Sequence, residues 1–294
     1  MSRIILILLV INIVSCFIVR CIHGGRMIIE VPREKLISKD GTKAIILLPG
    51  AMSQVNFDYR NLPSVAEKSM KANVTILPKY SNLGWSSRRT AKQLDDILKE
   101  TFTDSAEVYT VSIGDKVVRQ METNKIKKIF AINPCPVPEV LSEEMLSELV
   151  FSARLFKIMT FLLGWLAIIP LIKTKVNRYS FALFSDQIWE LAVNEDVPPT
   201  KAYVTHLVLS EHSKSLNNNQ ILRFYDEYDQ KINRLLTMRT KYVKASPGDI
   251  TDRLGGALLY DKALRELDER PNETEQYIKK LIAAGFIEKI QLNQ

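Results

Sequence analysis

Ser112 is the residue whose type and setting suit nucleophilic chemistry. It sits in EVYTVSIGD, residues 107–115, where a strand-like run ends in Thr110-Val111-Ser112-Ile113-Gly114 and passes directly into a helical pattern. A sharp strand-to-helix turn presents a serine hydroxyl, and small residues on either side let strand and helix approach. Gly114 meets that demand two positions after the serine, and Thr110, two before it, is larger but tolerable. Such a hydroxyl attacks acyl carbons only when a base takes its proton. Imidazoles are scarce: His23 lies in an N-terminal linker, His206 within an apolar strand pattern, and His212 in a loop. Cys16, Cys21 and Cys135 are odd in number and lack a repeated spacing, so they specify neither a disulfide framework nor a zinc site. The sequence has no Gly-rich phosphate loop and no metal-ligand spacing, so no cofactor and no metal is expected.

The elements that must hold Ser112 follow from the apolar pattern. The 294 residues are 46% hydrophobic and 25% charged, which excludes a collagen-like, disordered or disulfide-stapled chain. Lys and Arg number 40 against 33 Asp and Glu, a scattered excess of +7 that is no nucleic-acid signature. Strand signals at 27–31, 43–48, 73–77, 107–111, 128–132, 202–209 and 241–245 are interleaved with helical patterns at 62–72, 86–100 and 115–123. The run KAIILL at 43–48 reads as a strand buried on both faces. The alternation predicts an α/β fold with a doubly wound, mainly parallel sheet. A tail at 274–290 reads as an amphipathic packing helix with a last strand at its end.

Residues 139–200 carry no strand signal and form a helical insertion between two core segments, 27–138 and 201–294. A capped helix opens the insertion at 142–150, and 179–191 closes it as an amphipathic one. Between them, LFKIMTFLLGWLAIIPLI at 155–172 is apolar almost all round, interrupted by Lys157, Gly164 and Pro170. A bilayer span here would put the neighbouring strands on opposite sides of a membrane. The expectation is therefore a cap, split near Gly164 or Pro170, whose apolar faces pack on the sheet domain above Ser112.

Residues 1–26 read as a separate apolar segment. Residues 4–19 are apolar apart from Asn12, Ser15 and Cys16, with Arg3 before and Arg20 after, a length that suits a signal sequence or short anchor. Such a helix is expected to tether the protein to a membrane and to pack on nothing in the globular domain. Ile13-Val14-Ser15-Cys16 also resembles a lipobox, whose cysteine is lipidated after cleavage. If the true start is Met27, which opens a clean strand, the protein is cytoplasmic.

The stretch Thr110–Gly114 resembles the nucleophile elbow of the α/β-hydrolase superfamily, G-x-S-x-G, with Thr110 in place of the first glycine. The order of parts around it also resembles that superfamily: a strand and loop at 45–52 (IILLPGAM), a Gly- and Ser-containing loop leading into a helix at 80–98, the strand at 129–134, and an inserted cap. The resemblance implies an oxyanion hole from the backbone N–H of Ala51 or Met52 together with that of Ile113. It also implies an acid after the strand at 202–209 and a histidine after the last strand. Glu211 is an acid of the right type, but His212 occupies the acid's loop, and the loop after 241–245 offers Asp249 and Asp252 instead of an imidazole. Either His212 serves Ser112, oriented by Glu211 or Asp249, or Asp249 or Asp252 acts as a weak base.

Two functions follow. One is a weak serine esterase or lipase-like hydrolase of small apolar acyl substrates, with Ser112 as nucleophile and the cap lining an acyl pocket. The other is a catalytically inactive relative, a pseudoenzyme that keeps the fold for binding or for contact with a partner at the membrane. Neither implies a nucleic-acid partner.

Overall fold

A computed structural model describes residues 2–30, 42–58, 74–101, 103–174, 178–193, 204–210, 216–228, 232–238 and 289–292. Aliphatic runs form the centre of the sheet. Strand β1 spans Met27–Glu30, β2 Thr42–Leu48, β3 Val74–Tyr80, β4 Thr103–Val111 and β5 Ile126–Ile132, with helix α1 (Ser2–His23) before them. Helix α2 (Val55–Asp58) follows β2, α3 (Ser87–Glu100) follows β3, and α4 (Gly114–Gln120) follows β4. After the cap, β8 (Val204–Ser210), α7 (Asn218–Tyr228), β9 (Ile232–Met238) and β10 (Lys289–Leu292) complete the sheet. Its order is β1-β3-β2-β4-β5-β8-β9-β10, parallel throughout except for β1 against β3 and β10 against β9.

The central strands are buried on both faces, which is why they read as continuous apolar runs rather than alternating ones. Ala44 to Leu48 of β2 and Val108 and Tyr109 of β4 are almost wholly buried, and Tyr109 stacks on Phe130 of β5 at 4.4 Å between centroids. Helix α3 starts where the Ser86 hydroxyl caps Arg89 N, and it buries Thr90, Ala91, Leu94 and Leu98 at helical spacing against the sheet. The strand expected at 241–245 and the helix at 62–72 lie outside the described residues. The strand beside β8 is instead β9, whose Asn233 and Arg234 interrupt its apolar pattern.

The cap consists of α5 (Glu143–Leu163), a 3₁₀ turn (Gly164–Ile168), a hairpin of β6 (Pro170–Lys173) and β7 (Arg178–Ser180), and α6 (Phe181–Ala192). Ser142 caps α5, and Gly164 ends it at φ 54°, a left-handed conformation that glycine adopts freely. The split therefore falls at Gly164, and Pro170 opens a strand. The expected burial of 155–172 on the sheet domain is not what the structure shows. Leu155, Ile158, Phe161, Leu162, Leu166 and Leu171 are exposed, and the buried residues of the run are the small or polar Thr160, Gly164 and Ala167. The parts of the cap that reach the core are the first turns of α5 (Met145, Leu146, Leu149), Ile172 and Tyr179 of the hairpin, and Leu183 of α6.

Helix α1 does not stand free either. Asn12 Oδ1 accepts from Trp165 N at 3.4 Å, Ser15 Oγ accepts from Trp165 Nε1 at 2.8 Å, and Phe17 meets Phe161 edge-on at 6.5 Å. Arg20 reaches Asp186 of α6 at 2.9 Å. Asn12 and Ser15 inside the apolar run, with Phe17 and the flanking Arg20, supply these contacts, which a reading by hydropathy alone passes over.

Candidate active site

Strand β4 delivers Ser112 at its carboxyl end, and the turn there is strained. Ser112 has φ 50°, in the left-handed region that non-glycine residues rarely occupy. Its N–H donates to Ile132 O at 3.1 Å, and its carbonyl accepts from Cys135 N at 3.0 Å and Asp115 N at 3.3 Å. Such a conformation costs on the order of 1–3 kcal/mol and persists because its surroundings over-determine it. Gly114 permits the close approach of helix to strand, since a Cβ there would lie 3.0 Å from both the Cβ and the carbonyl oxygen of Leu48. Ser112 is left half-buried, and among the described residues nothing accepts a hydrogen bond from its hydroxyl.

Facing the elbow, β2 runs out into Pro49-Gly50-Ala51-Met52. A Cβ on Gly50 would stand 3.1 Å from Val111 Cγ1 and 3.6 Å from Ser112 Cβ, so the loop lies against the serine. Asp58 locks it, accepting from Gly50 N at 2.7 Å and from the Ser53 hydroxyl at 2.6 Å. Tyr80 donates to Pro49 O at 2.8 Å, and Tyr179 of β7 donates to Ser53 O at 3.0 Å. Burial pushes the Asp58 carboxyl up to about 6, with the Ser53 hydroxyl and the Gly50 N–H pulling the other way. Burial first, and then the Asp58 charge, raises both phenols, that of Tyr179 to about 12. Both Asp58 oxygens are engaged with the loop, so this carboxylate positions backbone and does not serve Ser112 as a base.

The three oxyanion candidates separate. Met52, at φ 53°, donates its N–H to Gln187 Oε1 of α6 at 2.8 Å. Among the described residues no acceptor takes the N–H of Ala51 or of Ile113. Gln187 is fully buried, and its Nε2 has no partner among the described residues. Helix α6 is held in place around it. The Glu190 carboxylate accepts from Ser87 N at 3.2 Å and Ser87 Oγ at 3.0 Å, Lys116 Nζ donates to the Glu190 carbonyl, and Asp186 accepts from Trp85 N at 3.0 Å.

Glu211, His212 and Asp249 lie outside the described residues. Strand β8 ends at Ser210 on the same edge of the sheet as the elbow, because Val111 and Val208 both pair with Ile132. Glu211 and His212 follow it in sequence. The expected acyl pocket is not the cavity of about 410 Å³ found between α1 and the cap, whose lining includes Arg20, Trp85, Lys157, Phe161 and Asp186 and omits Ser112. Asp58 and Gln187 are the positioning residues that the sequence did not disclose. Asp58 carries a faint signal, an acid eight residues after Gly50; Gln187 is one polar residue of an amphipathic helix.

The mainly parallel sheet and the helices that flank it recur in solved structures. The chain superposes on the epoxide hydrolase CorEH with a TM-score of 0.52 at 14% identity, over 84% of this chain and 96% of that one. It superposes on a hydrolase from Oleispira antarctica with a TM-score of 0.51 at 14% identity, over 78% and 91%. The chain has the α/β-hydrolase fold. No family model matches the sequence, and no curated protein sequence does. The placement of Ser112 agrees with this fold, in which ligands meet the carboxyl ends of the strands.

Proposed function

We propose that this protein is a membrane-attached serine hydrolase of esterase type, acting slowly on small apolar acyl substrates. The observation that carries this reading is Ser112, held at φ 50° while the N–H groups of Ala51 and Ile113 lack acceptors among the described residues. In this reading the Ser112 oxygen attacks the acyl carbon and passes its proton to a base. The oxyanion gathers hydrogen bonds from Ala51 and Ile113, and the alcohol leaves with the proton; water then releases the acid. Each oxyanion donor is worth about 3 kcal/mol in a well-organised site. His212 is the base assigned here, with Glu211 or Asp249 orienting it, since a carboxylate alone returns a proton poorly to a leaving alkoxide. Residues 4–19 provide the membrane attachment, a role that fits twelve exposed large apolar side chains on α1.

The second reading, a non-catalytic binding protein of the same fold, draws support from Gln187, whose amide oxygen occupies an N–H of the oxyanion loop. Turnover of an activated short-chain ester separates the two. The esterase reading expects turnover that falls to background in both Ser112→Ala and His212→Ala. Turnover untouched by Ser112→Ala refutes it, and no turnover in any variant favours the binding protein.

A further inference from the structure

We infer that α1 and the cap form one membrane-binding platform, in which the tip of the cap enters the same leaflet as the N-terminal helix. This rests on the membrane role proposed for residues 4–19 and extends it to a second element of the fold.

Ten large apolar side chains between Phe151 and Leu171 are exposed, among them Phe151, Ile158, Leu162, Trp165, Leu166 and Leu171. Proteins that live in water alone rarely present so large an apolar surface. This surface is continuous with α1. Asn12 meets Trp165, Phe17 meets Phe161, and Arg20 and Lys157 share Asp186, so α1 and α5 run antiparallel along one another. Asn12 and Ser15, the polar side chains inside the apolar run, and Arg20 just after it all make these inward contacts. What they leave outward is apolar. Cys16 is 3% exposed on the same inner stripe, mid-helix, and is part of this packing.

Charge identifies the occupant. Residues 1–29 and 149–185 contain no Asp or Glu, in a chain with 33 of them, yet they contain Arg3, Arg20, Arg26, Arg154, Lys157, Lys173, Lys175 and Arg178. The exposed Lys173 and Arg178 pair across the β6–β7 hairpin behind the apolar tip. An apolar surface whose own charged side chains, Arg154, Lys157, Lys173 and Arg178, are all cationic fits a bilayer with anionic headgroups. Another copy of this chain would set cation against cation.

The test uses the full chain reconstituted with phosphatidylcholine–phosphatidylglycerol vesicles containing lipids brominated along their chains. In a Trp189→Phe background, Trp165 fluorescence should be quenched, and the quenching should vanish when Trp165→Phe is added, since Trp85 is buried. A Leu166→Glu/Leu171→Glu variant, changed only at exposed positions, should lower vesicle affinity at least about tenfold. High salt should weaken binding in the parent. A vesicle-bound chain with unquenched Trp165, or with affinity unchanged by the double substitution, overturns the platform while leaving α1 as an anchor. A chain that does not bind vesicles at all overturns both. Loss of a dimer in the double variant, with vesicle affinity retained, would assign the surface to a second copy and overturn the bilayer assignment.

Discussion

The Gln187 amide oxygen, on cap helix α6, lies 2.8 Å from the backbone nitrogen of Met52 in the loop that faces Ser112. A side-chain carbonyl thus accepts from one of the N–H groups proposed to face a substrate oxyanion. Removing the acceptor should open the site.

Gln187→Leu keeps the volume, frees the Met52 N–H and deletes an Nε2 that has no partner among the described residues. Ester kcat/KM is expected to rise several-fold, while stability changes by about 1 kcal/mol or less, because the released Met52 N–H sits in a half-buried loop within reach of water and the unpartnered Nε2 is lost with its acceptor. Steady-state kinetics and denaturant unfolding of the variant check both.

The strain at Ser112 should be measurable as stability. Glycine adopts φ 50° at little cost, whereas alanine keeps the penalty, so Ser112→Gly should be more stable than Ser112→Ala by about 1 kcal/mol. Equal unfolding midpoints for the two variants would show that no strain is stored there.

Gly114 faces the opposite constraint. A methyl group would stand 3.0 Å from the Leu48 carbonyl oxygen, which is backbone and cannot swing aside. Gly114→Ala should cost about 1–3 kcal/mol and displace the elbow, lowering the activity of the folded fraction as well. Thermal unfolding and kinetics on the soluble protein read the two effects.

Asp58 gives the fold a pH signature. Burial pushes its folded carboxyl up to about 6, against 3.8 for a free aspartate side chain. The folded state therefore holds the proton more tightly, and the stability this provides is complete below about pH 4 and lost as pH rises through 6. The loss is on the order of 3 kcal/mol. Asp58→Asn cannot ionise and should flatten the profile between pH 4 and 6, as denaturant midpoints across that range would reveal.

The sheet was legible because its central strands are uninterrupted aliphatic runs, and the elbow because Ser112 and Gly114 close such a run. Strand β9 escaped because Asn233 and Arg234 break its pattern. The apolar run at 155–172 announced a helix and its break at Gly164, yet hydropathy does not say which medium covers an apolar face. The inner stripe of α1 was hidden for the same reason. Asp58 and Gln187 act through tertiary placement, Asp58 by closing the Gly50–Ser53 turn and Gln187 by crossing from the cap to Met52, and no local pattern encodes either contact.

The central claim is that Ser112 is an activated, accessible nucleophile. Incubating the full chain with a serine-reactive phosphonate and locating the adduct by peptide mass spectrometry tests it most directly. The account predicts a single adduct on the peptide carrying Ser112, slow in the parent, faster in Gln187→Leu and absent in His212→Ala. An unmodified Ser112 under conditions that label other serines, or labelling of Ser112 at the same rate in the parent and His212→Ala, would contradict it.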